Sequence, residues 1–285
     1  MNKRIKILIA LLIFILLGII IYMYAMFFGT RGFVVKEHKI ETNKIDEGYN
    51  GLKIVHLSDI HNGKQSTSKE DLEEIVEDIN LLKPDIVVLT GDLIDNNITN
   101  SQYEELVNIL NNINASIGKF AIDGNHDYVY KKWSVLIEDC GFINLNDTYE
   151  LIYKNSYKPI LLAGVSNNTY TTKNIKDKTE TIFNHINSEK NNSSYNILLM
   201  HEPDYIDEID YSKFDLVLAG HSHNGQVRIP LIGATILPDG AKKYYKEYYK
   251  LEDTKLYISS GIGTTILPIR LFNKPSYNFY RIIKK

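Results

Sequence analysis

Cysteine is nearly absent from this chain: Cys140 stands alone among 285 residues. That excludes an intramolecular disulfide and any cage of thiolate metal ligands. Within VLIEDCGF it is expected as a small buried apolar residue at a helix end. The lack of disulfides leaves the compartment open, because a chain with a large enough core is exported without them. Excess positive charge is also missing. With 32 Lys and Arg against 35 Asp and Glu the net charge is −3, so the broad basic face of a nucleic-acid binder is not expected, and neither is that partner. Internal repeats are not apparent. What remains is ordinary globular material, 44% hydrophobic and 24% charged, long enough for one large domain or two small ones.

One long hydrophobic run is present, at the N-terminus. Lys3, Arg4 and Lys6 precede an uncharged stretch from Ile7 to Phe28, closed by Arg31. About 20 apolar residues suffice to cross a bilayer as a helix. A cleaved signal would have a shorter core and a small-x-small site, and Tyr24-Ala25-Met26 is a poor one. The run therefore reads as an uncleaved, single-pass anchor over residues 1–30, with Tyr22, Tyr24 and Phe28 at interfacial positions. Basic residues ahead of it place that end in the cytoplasm and the rest of the chain outside the cell membrane. Residues 31–50 read as a polar linker ending in the turn Gly48-Tyr49-Asn50-Gly51, and 51–285 as the folded domain.

In that domain short apolar runs alternate with amphipathic stretches. KIVHL (53–57), IVVL (86–89), KFAI (119–122), ILLA (160–163), ILLM (197–200) and LVLA (216–219) read as buried strands. Residues 69–82 place Leu72, Ile75, Val76 and Ile79 on one helical stripe, and 104–113 repeat the pattern with Leu106, Val107 and Leu110. This order implies an α/β layered core followed by a mixed sheet or a sandwich of two sheets. The Asn/Lys/Ser-rich stretch around Ser188–Ser194 reads as a surface loop.

Five of these strands run into residues of metal-ligand type. KIVHLS leads to Asp59 and His61; DIVVLT to Gly91-Asp92, with Asp95 beyond. KFAID leads to Gly124-Asn125-His126-Asp127, NILLM to His201, and DLVLA to Gly220-His221-Ser222-His223. In open α/β sheets ligands bind beyond the carboxyl ends of strands, so the five ends converge on one crevice. Five of the eight histidines fall in these segments. Carboxylate, amide and imidazole donors suit manganese, iron or zinc. Two such cations about 3.5–4 Å apart clamp the attacking and leaving oxygens of an in-line displacement.

The series D-x-H, G-D-x-x-D, G-N-H-D, a lone His and G-H-x-H resembles the calcineurin-like metallophosphoesterase family over Lys53 to the C-terminus. The resemblance implies a four-layer αββα sandwich of two mixed sheets behind the transmembrane helix. It implies a hydrolase for phosphate ester or pyrophosphate bonds, working through a hydroxide held between two divalent metals, with manganese foremost. Asp59, His61 and His223 would hold one ion, Asn125, His201 and His221 the other, and Asp92 would bridge them. His126 would face the phosphate and assist the leaving oxygen, with Asp95 orienting it, and Asn125 would also touch substrate. GHSHNGQVRIPLIG and LYISSGIGTTILPIRLFNKP are similar to a membrane-associated bacterial branch, some members of which act on phospholipids or UDP-2,3-diacylglucosamine, which implies a lipid-linked or other phosphorylated substrate. Asn224 stands where that branch usually has Gly, and Ser276 where Glu is common.

Other residues carry plainer expectations. His56, inside a strand, is expected as a hydrogen-bonded core residue, and His38 and His185 as surface residues. Asp127 is expected to cap or steady its loop. Arg270 either reaches the substrate phosphate or forms a structural ion pair. The Tyr- and Lys-rich segment 242–250 reads as a solvated strand edge, with a membrane-interface patch as the second reading. The competing functional class is a catalytically inactive, membrane-tethered binding module that retains the fold.

Overall fold

A computed structural model describes residues 2–63, 67–167, 172–188 and 193–285. Most of the expected loop at 188–194, and the His185 side chain, lie outside the described residues. Helix α1 (Lys3–Phe27) is followed by β1 (Val34–Thr42), β2 (Leu52–Leu57), α2 (Lys69–Leu82), β3 (Ile86–Thr90), α3 (Asn100–Leu110), β4 (Gly118–Ile122), α4 (Trp133–Asp139) and β5 (Ile143–Asn144). Then come β6 (Thr148–Ile152), β7 (Ile160–Gly164), α5 (Thr172–Ser188), β8 (Tyr195–Leu199) and β9 (Leu216–Ala219). A small hairpin, β10 (Arg228–Ile229) and β11 (Gly233–Ala234), precedes β12 (Tyr248–Leu251), β13 (Thr254–Ile258) and β14 (Ser276–Lys284).

The strands form two six-stranded mixed sheets, ordered β1-β14-β2-β3-β4-β5 and β12-β13-β9-β8-β7-β6. Side chains alternate across each strand, and the alternation builds three apolar layers. Val55, Leu57, Val87 and Leu89 face α2, α3 and α4. Ile54, Ile86, Val88, Ile197, Leu199, Leu216 and Leu218 fill the space between the sheets. Leu161, Ala163, Leu198 and Val217 pack on Ile175, Ile182 and Phe183 of α5. The expected αββα sandwich is the result. Helix α2 has the bounds its stripe predicts, set by a capping box in which Ser68 and Asp71 satisfy each other's backbone N–H. Helix α3 starts earlier than expected because Thr99 and Gln102 form a second box. Cys140 is buried at the end of α4.

The expected linker at 31–50 is corrected: it contains β1, which pairs in parallel with β14 along its whole length. Its inward positions hide the strand from a hydrophobic reading. Lys36 bonds Glu247 and Ser260, His38 bonds Asn278, and only then comes Ile40 in the inter-sheet core. His38 is thus not a free surface residue; it stacks on Tyr280 and lies tilted against Tyr257. The Tyr- and Lys-rich segment contributes β12, the edge strand of the second sheet.

His56 is fully buried between the sheets, 2.7 Å from Thr90 Oγ1 and 3.3 Å from the Tyr280 hydroxyl. Burial, with a smaller push from His38, lowers its pKa from 6.5 to about 3. The unfolded chain therefore binds one more proton than the native one between those values, and stability falls as pH drops through that window by roughly 1.4 kcal/mol per unit. Replacing His56 by Gln is expected to flatten this acid sensitivity, read as the pH dependence of the urea midpoint of the full-length protein in detergent.

Candidate metal centre

All five ligand-bearing segments leave the carboxyl ends of parallel strands: β2, β3 and β4 in the first sheet, β8 and β9 in the second. The sandwich brings the two sets of ends together. Ligand atoms of Asp59, His61 and His223 lie within 4.8 Å of one another, as do those of His61, Asp92 and His126, and those of Asp92, His201 and His221. Asn125 Oδ1 is 3.1 Å from His201 Nε2. All seven residues expected as ligands gather in one cluster, with Asp92 at the junction of two groups.

The hydrogen-bond network fixes which imidazole nitrogens face inward. His201 Nδ1–H donates to Thr90 O at 2.7 Å, His221 Nε2–H to Asp239 O at 2.7 Å, and His61 Nδ1–H to Asp95 Oδ1 at 2.9 Å. In the neutral rings the opposite nitrogens of His201 and His61 are acceptors, 3.2 Å and 3.7 Å from Asp92 Oδ2. Acceptors aimed at acceptors at such distances call for a positive charge between them, a proton on His201 or a divalent metal, which the donor set fits. The protein's own charges point the same way. Burial opposes the charged form of both groups, yet Asp92 holds His201 up at about 10, and His201 with His61 holds Asp92 well below the usual carboxylate range. Burial and the neighbouring His201 lower His221 to about 4. Asp59, buried, is raised.

Backbone geometry matters as much as side-chain type. Asp59, His61, Asp92, His221 and His223 all have positive φ, from 46° to 66°. Left-handed backbone at such residues costs of order 1–3 kcal/mol each and persists only where the surroundings impose it. Crossing hydrogen bonds impose it here: Asp59 N to Gly91 O, His61 N to Asp92 O and Gly263 N to Asp59 O, at 2.7–3.0 Å. Asn224 shares this conformation at φ 50°, which an asparagine tolerates.

Of the glycines before ligands, only Gly91 has positive φ; the others are needed for close approach. A Cβ on Gly124 would lie 2.2 Å from Asp92 Oδ1, and one on Gly220 would lie 1.9 Å from Ser58 Oγ and 2.7 Å from Asp59 Oδ2. Asp127, fully buried, accepts backbone N–H bonds from Leu93, Ile94 and Gly124. It locks the Asp92 loop to the Asn125 loop, the steadying role expected for it.

Asp95 and Arg270 make contacts beyond those expected. Asp95 spends its hydrogen bond on His61; His126 Nδ1 lies 3.5 Å from the same oxygen and has no hydrogen-bond partner among the described residues. His126 instead sits edge-on to His61 at 4.8 Å, partly exposed at the pocket wall, with its backbone N–H on Asp92 Oδ1. Arg270 does not reach the pocket. It is fully buried, and its guanidinium binds the carbonyls of Ser260, Gly261 and Gly263 and lies 3.3 Å from His223 Nδ1. Three carbonyls outcompete solvent for a planar fork that cannot shed its charge. Its backbone N–H bonds Ala25 O in α1, and a Cβ on Gly29 would lie 1.8 Å from Arg270 O. Neither the Arg270 clamp nor the Asp239 contact leaves a sequence signal, because each depends on backbone carbonyls that other loops bring into place.

A cleft of about 370 Å³ opens over the centre. His61, Asp92, Asn125, His221 and His223 line it on the polar side with His126 at its wall, and Val227, Ile236, Pro238, Ile266, Leu267 and Ile269 line the apolar side.

Gly220→Ala is expected to weaken metal affinity by about 10–100-fold, as loss of ligand-orienting contacts does, with little change in secondary structure. Metal titration by calorimetry alongside far-UV circular dichroism checks this.

Residues 52–225 match the family described as "Calcineurin-like phosphoesterase". The chain is 32% identical over 267 residues to the "uncharacterized metallophosphoesterase YkuE" of Bacillus subtilis, covering 92% of this chain and 89% of that one. YkoQ of the same organism, also named an uncharacterized metallophosphoesterase, is 27% identical over 284 residues, 94% and 99% of the two chains. A "transmembrane protein with metallophosphoesterase domain" of Danio rerio is 29% identical over 248 residues, 84% of this chain and 55% of that one. Built on this fold, and matched over most of its sandwich, the chain belongs to the calcineurin-like phosphoesterase family.

Proposed function

We propose that the chain is a membrane-anchored hydrolase that cleaves a phosphate ester or pyrophosphate bond of a lipid-linked or envelope substrate, using two divalent transition metals, manganese foremost. Family membership supports a metal-dependent phosphoesterase. The observation that carries the two-metal reading is Asp92, one carboxylate facing inward nitrogens on both sides of the pocket. Asp59, His61 and His223 would hold one ion, Asn125, His201 and His221 the other, with Asp92 between. Such a pair supplies a water of lowered pKa and neutralises charge on the phosphate oxygens.

The protein's own groups do the rest. His126 stands at the pocket wall with a ring nitrogen near Asp95 rather than bonded to it, so the imidazole can turn to protonate the departing oxygen. Asp95 keeps the His61 ring in the tautomer that presents Nε2 inward. Asn125 offers its side chain to the phosphate beside His201. The apolar walls exclude water and suit an acyl or prenyl chain attached to the phosphate, the phospholipid or diacylglucosamine kind of substrate. Helix α1 is long and apolar enough to cross a membrane, and we assign residues 1–30 to the anchor and the sandwich to the enzyme, facing outward from the basic N-terminus.

Asp92→Asn is expected to abolish turnover of a chromogenic bis-aryl phosphate and reduce bound metal. His126→Ala is expected to cut kcat by about 10²–10⁴ with metal content retained. Metal analysis alongside kinetics separates the two, and full metal loading of the wild-type protein with no turnover of any phosphate ester would favour the inactive binding module. Because the pKa of His201 is raised to about 10, loading its nitrogen displaces a proton at neutral pH. Apparent metal affinity should therefore rise with pH, checked by calorimetry in buffers of different ionisation enthalpy.

A further inference from the structure

The loops above the metal centre expose apolar side chains that no packing within the described residues explains. Leu231, at the tip of the β10–β11 hairpin, is 109% exposed, and Ile232, Ile236, Ile266 and Phe272 are 68–80% exposed. Three of them, Leu231, Ile266 and Phe272, have positive φ of 71°, 64° and 52°. For a bulky or β-branched residue this backbone is an outlier, and it occurs here at side chains held out into solvent. A fold that spends strain to present Leu, Ile and Phe outward is presenting them to something apolar.

These loops are tied to one another and to α1. Arg228 N bonds Leu271 O, Gln226 Nε2 bonds Thr265 O and Leu267 O, and Arg270 N bonds Ala25 O. Ala25 lies within the uncharged run that ends at Phe28. At about 1.5 Å per residue its carbonyl sits about 5 Å inside that end. Pro268 and Thr264 also face Met26 and Phe27 across a shallow pocket. The loop that carries Ile266 and Leu267 on one side therefore touches, on the other, a level of α1 that lies below the membrane surface if α1 spans it. Arg31, Lys246 and Lys274, all exposed, edge the same region, as suits anionic headgroups.

We infer that the lip formed by Leu231, Ile232, Ile236, Ile266 and Phe272 inserts into the lipid surface beside α1, so that the cleft opens onto the bilayer rather than into free solution. The inference rests on α1 as a membrane span and not on the reaction assigned to the metal centre. A substrate then enters sideways with its apolar part still among lipids, and only its phosphate travels to His126 and Asn125.

The test uses the full-length protein in nanodiscs of phosphatidylcholine and phosphatidylglycerol. An environment-sensitive fluorophore is placed on Leu231→Cys or Ile266→Cys, Cys140 being buried and unlabelled. The control is Tyr157→Cys, fully exposed on the turn before β7, at the opposite ends of the strands. Lipids bearing a spin label near the headgroup should quench the two lip positions several-fold more than the control, with blue-shifted emission. Quenching at both lip positions no greater than at the control overturns the inference. Because the readout needs no turnover, it is distinguishable from failure of the phosphoesterase reading.

Discussion

The structure is organised around a buried carboxylate, Asp92, that accepts the backbone N–H of His126 and faces imidazoles from both sheets. Taking a carboxylate, a second carboxylate and four imidazoles out of water is costly unless a compensating charge sits among them. The fold supplies geometry for that charge. Two sheets are packed so that their parallel strands end at one edge, and the loops there are strained and cross-bonded until every donor points inward. Much of the local architecture at this edge, including left-handed aspartates and histidines and glycines without room for a methyl, follows from that requirement.

The same requirement explains the division of labour between neighbours. Asp127 carries no ligand role, yet its carboxylate pins the loops bearing Asp92 and Asn125 by three backbone hydrogen bonds. Thr90 and Asp239 contribute only their carbonyls, and these select the tautomers of His201 and His221. A metal centre of this kind is therefore a property of loop backbone as much as of the residues that would touch the ions.

That distinction sets what was legible beforehand. The six buried strands, α2 and the convergence of Asp59, His61, Asp92, Asn125, His201, His221 and His223 could be read from hydrophobic period and ligand type, because both are written in side chains. Strand β1 was hidden because Lys36 and His38 occupy its inward face and find polar partners there. The start of α3 was missed because its cap, Thr99 with Gln102, lies ahead of the apolar stripe. Arg270 and Asp95 stand out in the sequence, but their hydrogen-bond partners do not. Which acceptor a guanidinium or a carboxylate meets depends on the path of a distant loop, and no local pattern encodes that path.

Arg270 also joins two parts of the molecule that are otherwise described separately. Its amide holds the last turn of α1, while its guanidinium supports the ring of His223 and the carbonyls of the 260–263 loop. One residue thus serves as a rivet through both the apolar helix and the ligand cluster. Cutting the anchor away to obtain a soluble fragment would remove the socket on one side of that rivet. The fragment's behaviour would then report on a loosened site as well as on the loss of the apolar helix.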